Sequence, residues 1–153
     1  MTIGLKLPPY TYSTQFTEVL SVVGKLSFED GGERYNPISF LTCTNTLGSS
    51  LLFADQTPSS GGTSLYALPT PLGGLAGEPI HALALGNVYT FTNLLSKSTD
   101  PSLKKIEVVG VGGVTSAEAA ERMRKAGAKV VACATLLGRE GVAAFEKING
   151  IVS

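Results

Sequence analysis

Four short apolar runs, Ile3–Leu7, Ile38–Cys43, Ile106–Val111 and Val130–Cys133, are spaced along the chain, and each is followed by a stretch carrying helix signals. Strands that are apolar almost throughout must be buried on both faces. The alternation therefore predicts an α/β fold, a parallel sheet covered by helices. The first helix is marked by Phe16, Val19, Leu20 and Val23 at i, i+3, i+4 and i+7, with Gly24 placed to end it. A second runs from about His81 to Leu95, with Leu85 and Val88 among its apolar positions. Thr115 and Glu118 have the Thr-x-x-Glu spacing of a capping box, and the helix they predict carries Ala119, Met123 and Ala126 before Gly127 stops it. A last helix carries Val142, Phe145 and Ile148.

Two proline-bearing signals set the limits of these units. Pro8-Pro9 closes the first run, and Asp100-Pro101 marks a turn. Between residues 48 and 80 the composition shifts to Gly, Ser, Thr and Pro, which predicts an irregular excursion with a small hairpin from Leu51–Phe53 and Leu65–Ala67. Excursions of that length are usually functional or disordered. Residues 1–153 as a whole read as one domain.

Charge and composition exclude several functions. Lys+Arg 12 balances Asp+Glu 12 and there is no Trp, so no basic footprint or stacking platform for nucleic acid is expected. No apolar run approaches the roughly 20 residues of a membrane span, and "MTIGLKLPPY" lacks a secretory pattern. The expectation is a cytoplasmic protein. His81 is the only histidine and is expected on a helix surface or at a cap; no metal site or serine triad is expected. Cys43 and Cys133 lie in apolar or β-branched runs and are expected as small buried hydrophobes.

The stretch "VVGVGGVTSAEAAERMRKAGA" places Gly112 and Gly113 where a parallel strand gives way to a helix. Ligands of parallel β/α proteins collect there, and backbone amides free of side chains can take a phosphate. A tight turn needing positive φ would equally require glycine. Ala134 and Thr135 occupy the corresponding mouth one unit later, and phosphate sites shared by strands seven and eight recur in (β/α)8 barrels. On that basis the four units correspond to strands five to eight, the C-terminal half of a barrel.

The chain also resembles a family. "GLKLPPY" at Gly4–Tyr10, "TNTLGSSL" at Thr44–Leu51, "GGLAGEPI" at Gly73–Ile80, "GVGGVTSAEAAERMRKAGA" and "ATLLGREG" occur in the order and spacing of the dihydroorotate dehydrogenases. "LKLPPY" resembles the class 1 cytosolic enzymes more than the membrane-associated class 2 form. The resemblance implies FMN as cofactor and oxidation of dihydroorotate to orotate in pyrimidine biosynthesis, by hydride transfer to the flavin and proton removal by a base.

Site residues follow from the same resemblance. Lys6 matches the lysine at the flavin ring, though a lysine snorkelling from a strand end is the alternative. Thr44, Gly77, Gly112, Gly113, Ala134 and Thr135 match other cofactor-binding positions, Ala134 standing where the family commonly has Gly. A methyl group fits there if φ is negative. Asn45 matches the asparagine that hydrogen-bonds orotate, with a turn-forming Asn as the alternative, and Thr46 stands where the family usually has Ser. Gly73 and Gly74 read equally well as a loop turn.

A complete barrel of this kind needs about 250 residues, and the resemblance puts the catalytic base on a loop of the first half. No catalytic residue is therefore assigned, and Cys43, inside a strand, is not taken for that base. The isolated chain is expected to be inactive. Open strand edges lead to the further expectation of a homodimer, or of a requirement for the N-terminal half-barrel. A non-catalytic half-barrel that binds phosphate or nucleotide, or serves in assembly, is the alternative.

Overall fold

The structure is a computed structural model that describes residues 2–56 and 64–151. Strand β1 (Ile3–Leu7) leads to helix α1 (Ser13–Lys25), a hairpin of β2 (Phe28–Asp30) and β3 (Glu33–Tyr35), and strand β4 (Ile38–Cys43). Strands β5 (Leu47–Leu51) and β6 (Leu72–Leu75) precede a 3-10 turn at Glu78–Ile80 and the long helix α2 (His81–Lys97). The chain continues through α3 (Pro101–Lys104), β7 (Glu107–Val111), α4 (Ala117–Lys125), β8 (Val130–Ala132), α5 (Thr135–Glu140) and α6 (Ala143–Ile148).

The four strands read from the apolar runs form one parallel sheet in the order β1-β4-β7-β8, so β1 and β8 are its edges. Central position explains burial. Leu41 and Cys43 on β4 are fully buried and Val108 on β7 is 3% exposed. Helix α1 presents Phe16, Leu20 and Val23 to the core, as the spacing predicts, and α2 adds Ala84, Val88, Phe91 and Leu95. Phe16 and Phe91 meet with ring centroids 5.0 Å apart, and Tyr10, from the turn after Pro8-Pro9, packs edge-on against both.

Several local expectations are corrected. The hairpin β2–β3 was not foreseen; it turns on Gly31 and Gly32, both at positive φ, as a two-residue hairpin loop requires. Asp100-Pro101 is a helix start rather than a bare turn, with the Asp100 carboxylate accepting the Ser102 N–H. Helix α4 is capped by Ser116, whose hydroxyl accepts the Ala119 N–H, while Thr115 donates instead to Glu78 Oε1 at 2.8 Å. The last helical stretch is two short helices divided at Gly141, φ +59, so Val142 and Phe145 face outward and Ala144 and Ile148 are buried.

The excursion holds more order than its composition suggests. Leu47–Leu51 pairs antiparallel with Leu72–Leu75, and the hairpin expected at Leu51–Phe53 and Leu65–Ala67 continues it through the bridge Phe53–Tyr66. No helix among the described residues is long and apolar enough to cross a membrane.

Candidate functional site

All four strands of the parallel sheet run the same way, so their C-terminal ends and the loops leaving them gather on one side of the molecule. A hollow with about 450 Å³ of empty volume opens there. Every site residue read from the sequence lines it: Lys6 at the end of β1, Thr44, Asn45 and Thr46 after β4, Gly77 before α2, Gly112 and Gly113 after β7, and Ala134 and Thr135 after β8. Ala76, Ile80, Val111, Val114 and Leu136 complete the wall and were not singled out by sequence, and Thr115, read only as a helix cap, lines it as well.

Backbone hydrogen bonds hold the loops in place. Thr44 N–H donates to Val111 C=O at 2.8 Å and Asn45 N–H to Leu7 C=O at 2.7 Å, so the residues after β4 extend the sheet on both sides. The Cys43–Thr44 peptide bond is cis. The Thr44 side chain is nearly buried, and its Oγ1 is a buried polar atom without a hydrogen-bond partner among the described residues. Buried hydroxyls are normally paired, so an orphan facing a hollow marks a place for a ligand group. Lys6, Asn45 and Thr46 are exposed on the same rim. Gly74 on β6 leaves room for Thr46, whose side chain would collide with any Cβ at that position.

The glycine turn is required twice over. Gly112 has φ +137 and Gly113 φ +64, conformations that other residues rarely adopt. A Cβ on Gly112 would also come 2.6 Å from Ala84 Cβ, and one on Gly113 2.6 Å from His81 Cβ and 2.8 Å from Gly77 O. The turn is thus wedged against the start of α2, and glycine is needed there whether or not a ligand binds. What remains for a ligand is the backbone. Among the described residues, the amides of Gly113 and Thr135 donate to no protein acceptor. Ala134 has φ −118, in which a methyl group is unstrained.

His81 lies behind this turn. Its Nδ1 is 2.8 Å from Gly112 O, and its Nε2 accepts the Arg122 Nε–H at 3.2 Å. Beside the hollow, sharing Gly77, Thr115 and Thr135 with it, a second depression is lined by Arg122, Arg139 and Lys147 together with Glu78 and Glu140. Lys147 is paired with Glu140 at 2.7 Å. Cations at this end favour an anion at the turn.

Cys43 is fully enclosed beneath Thr44, and burial pushes its thiol up to about 12, which leaves it a protonated, inert group at neutral pH. Cys133 is half-buried rather than buried. Among the described residues no group of three or more His, Cys, Asp or Glu side chains could hold a metal ion.

A parallel β/α sheet with its site at the strand ends, where a phosphate can meet glycine and helix-start amides, defines the class: a segment of a TIM-barrel-type protein. The comparisons identify which. The family model described as dihydroorotate dehydrogenase matches residues 3–152, and the chain belongs to that family. A protein of Streptococcus pneumoniae serotype 4 named "Probable dihydroorotate dehydrogenase A (fumarate)" is 30% identical over 151 residues, covering 96% of this chain and 40% of the relative. A Streptococcus pyogenes serotype M18 protein carrying the same enzyme name is 30% identical over 147 residues, with the same coverage. The crystal structure of DHODH in complex with ferulenol from Eimeria tenella superposes with a TM-score of 0.66 at 17% identity, covering 97% of this chain and 32% of that one, and shares its fold. The chain spans about 40% of the length of the curated relatives it matches.

Proposed function

We propose that this chain is the cofactor-holding, C-terminal part of a dihydroorotate dehydrogenase, a half-barrel of β/α units five to eight that binds FMN and serves the oxidation of dihydroorotate to orotate. The observation that carries the reading is convergence. Residues from five separate segments, matched to the family one by one, line a single hollow.

The residues present fit the cofactor. The orphaned Thr44 Oγ1 offers a hydrogen bond that the protein leaves unused, and the unpaired amides of Gly113 and Thr135 suit a phosphate's oxygens. When bound, FMN would supply the hydride acceptor. Lys6 would hold a positive charge where negative charge develops on the reduced ring system. Asn45 can donate and accept together, as a ring carrying carbonyl, N–H and carboxylate groups demands, and Thr46 adds a hydroxyl on the same rim. Orotate and dihydroorotate are the small-molecule ligands of this reading.

The family resemblance puts the base that removes the substrate proton outside these residues, and Cys43, held protonated by burial, does not replace it. On this reading the chain alone turns nothing over. It works either with an N-terminal half-barrel or as a homodimer whose copies cover the edges β1 and β8. The likeness of "LKLPPY" to the class 1 cytosolic enzymes supports a cytoplasmic setting. A phosphate- or nucleotide-binding module without catalysis has its own support, because the best-formed polar groups of the hollow lie at the phosphate end.

The test combines binding with turnover. FMN should bind the pure chain saturably, riboflavin more weakly, and dihydroorotate should not be oxidised until the remaining part of the enzyme is supplied. Binding that persists without any turnover in the reconstituted enzyme would favour the non-catalytic module; failure of FMN and phosphate to bind would remove the cofactor assignment.

A further inference from the structure

The peptide bond joining Gly112 to Gly113 is the least restrained in the site by its own covalent structure. Both residues lack a Cβ and both have positive φ, so a flip of the peptide between them meets little intrinsic resistance. Its orientation nevertheless decides whether an anion meets an N–H or a C=O. In a trans peptide the carbonyl of one residue and the N–H of the next point in opposite directions, and among the described residues only the Cys43–Thr44 bond is cis. Whatever holds the Gly112 carbonyl therefore aims the Gly113 amide.

His81 holds it. Arg122 Nε carries a proton and can only donate, so the His81 Nε2 it approaches at 3.2 Å must be the acceptor nitrogen. The proton then resides on Nδ1, which donates to Gly112 O at 2.8 Å. Arg122 thus selects the tautomer through a contact between α4 and α2, as partners of one ring nitrogen generally fix the other. The Gly112 carbonyl is turned toward α2, and the Gly113 N–H leaves the same peptide plane on the far side, where no protein acceptor meets it.

We infer that His81 is a positioning residue for phosphate binding: set in its Nδ1-protonated tautomer by Arg122, it locks the Gly112–Gly113 peptide so that the Gly113 amide is presented to the phosphate of the cofactor. This rests on the phosphate reading of the turn and adds a residue to it that contacts no ligand itself. His81 is also in van der Waals range of Gly113, so a purely structural role must be separated from a positioning one.

The experiment uses the full chain and three variants, with FMN, riboflavin and inorganic phosphate as probes. His81→Phe keeps a ring against the turn without a donor; His81→Asn retains an amide donor near the place of Nδ1; Arg122→Ala removes the tautomer selector. Nitrogen-15 spectra of the ligand-free chain should show the proton on Nδ1 of His81, with that preference weakened in Arg122→Ala, where only the Gly112 carbonyl still favours it. His81→Phe should weaken FMN by roughly fivefold to tenfold, the size of one net hydrogen bond, while riboflavin affinity stays unchanged and His81→Asn recovers most of the loss. The Gly113 amide resonance should shift with inorganic phosphate in the wild-type chain and respond less in His81→Phe. Equal losses for FMN and riboflavin, unchanged FMN binding in His81→Phe, or a proton on Nε2 would each overturn the inference while leaving the cofactor assignment standing. A wild-type chain whose Gly113 amide responds to neither FMN nor phosphate would overturn both.

Discussion

Asn87 Oδ1 accepts the backbone N–H of Tyr10 at 2.8 Å, and the same side chain's Nδ2 donates back to Tyr10 C=O at 3.0 Å and to Leu83 C=O at 2.9 Å. One amide, 1% exposed, thereby satisfies both polar groups of the residue that follows Pro8-Pro9 and anchors the end of β1 to α2. Lys6, on the rim of the hollow, stands just before that anchored turn. Fold and site share this fastening.

Removing it should be costly. Asn87→Leu fills the volume but leaves the Tyr10 N–H and C=O buried or half-buried without partners, and each unsatisfied group costs about 1–3 kcal/mol. A loss of roughly 2–4 kcal/mol in unfolding free energy is expected, read from urea denaturation followed by circular dichroism. A variant within experimental error of the wild type would mean that water replaces the amide without penalty.

A second polar cluster makes one contribution to stability depend on acid. The Ser102 hydroxyl donates to Asp100 Oδ1 at 2.6 Å, the Ser102 N–H donates to the same oxygen, and Arg34 reaches Oδ2 at 3.0 Å. The Ser102 hydroxyl above all, with its N–H and Arg34, holds the Asp100 carboxyl below its ordinary value. A carboxyl depressed in the folded state contributes stability that is present above its unfolded pKa and lost as pH falls through the folded one. Asp100→Asn should therefore destabilise the chain at neutral pH and flatten the decline in melting temperature below about pH 4. Parallel acid profiles for the two proteins would exclude Asp100 as a source of acid sensitivity.

What could be read beforehand follows from how much each element depends on distant contacts. β1, β4, β7 and β8 are apolar because they are buried, so Leu41 and Val108 announce themselves in any window of sequence. β2 and β3 are three residues each, exposed, and held by a glycine turn and by Arg34 reaching Asp100, none of which leaves a periodic trace. "LGSSL" and "LGGL" form strands against the preferences of Gly and Ser, because pairing with each other decides the matter. Thr115 and Ser116 offer adjacent hydroxyls, and only the contact with Glu78 reveals which one is free to cap. Val142 and Phe145 have helical spacing, but the break at Gly141 rotates them out of the core. The pattern of the parallel sheet pointed to Gly112, Gly113, Ala134 and Thr135 as strand-end positions, whereas Lys6, Thr44, Asn45, Thr46 and Gly77 were named only through the family resemblance; His81 and Arg122, 41 positions apart, could be joined only in three dimensions.

The two thiols should separate by reactivity. Cys43 is fully buried, with burial raising its pKa to about 12, whereas Cys133 is half-buried. At pH 8 a thiol reagent should modify Cys133 in the folded chain and reach Cys43 only on unfolding. A raised folded-state pKa also means that the stability contributed by the protonated Cys43 is complete below the unfolded thiol's pKa and is lost as pH climbs from there toward 12. Cys43→Ala, judged by the slope of its stability above pH 9, should show a weaker alkaline decline than the wild type. Fast labelling of both cysteines in the native chain would contradict the burial on which this rests.

Thr44 gives the sharpest test of the hollow, because the fold and the ligand should disagree about it. Its Oγ1 is buried and unpartnered among the described residues, an arrangement that destabilises a protein with nothing bound. Thr44→Val keeps the shape and the methyl contacts and exchanges only the hydroxyl, so the ligand-free chain should become more stable by about 1 kcal/mol. If the hydroxyl is there to meet FMN, the same substitution should weaken FMN binding by roughly fivefold, the value of one hydrogen bond. Thermal melts with and without FMN read both signs in one experiment: the variant should melt above the wild type when ligand-free and gain less on addition of cofactor. A stabilised variant with undiminished FMN binding would leave Thr44 as an unsatisfied core residue with no part in the site, and a destabilised one would show that its hydroxyl is already paired in solution.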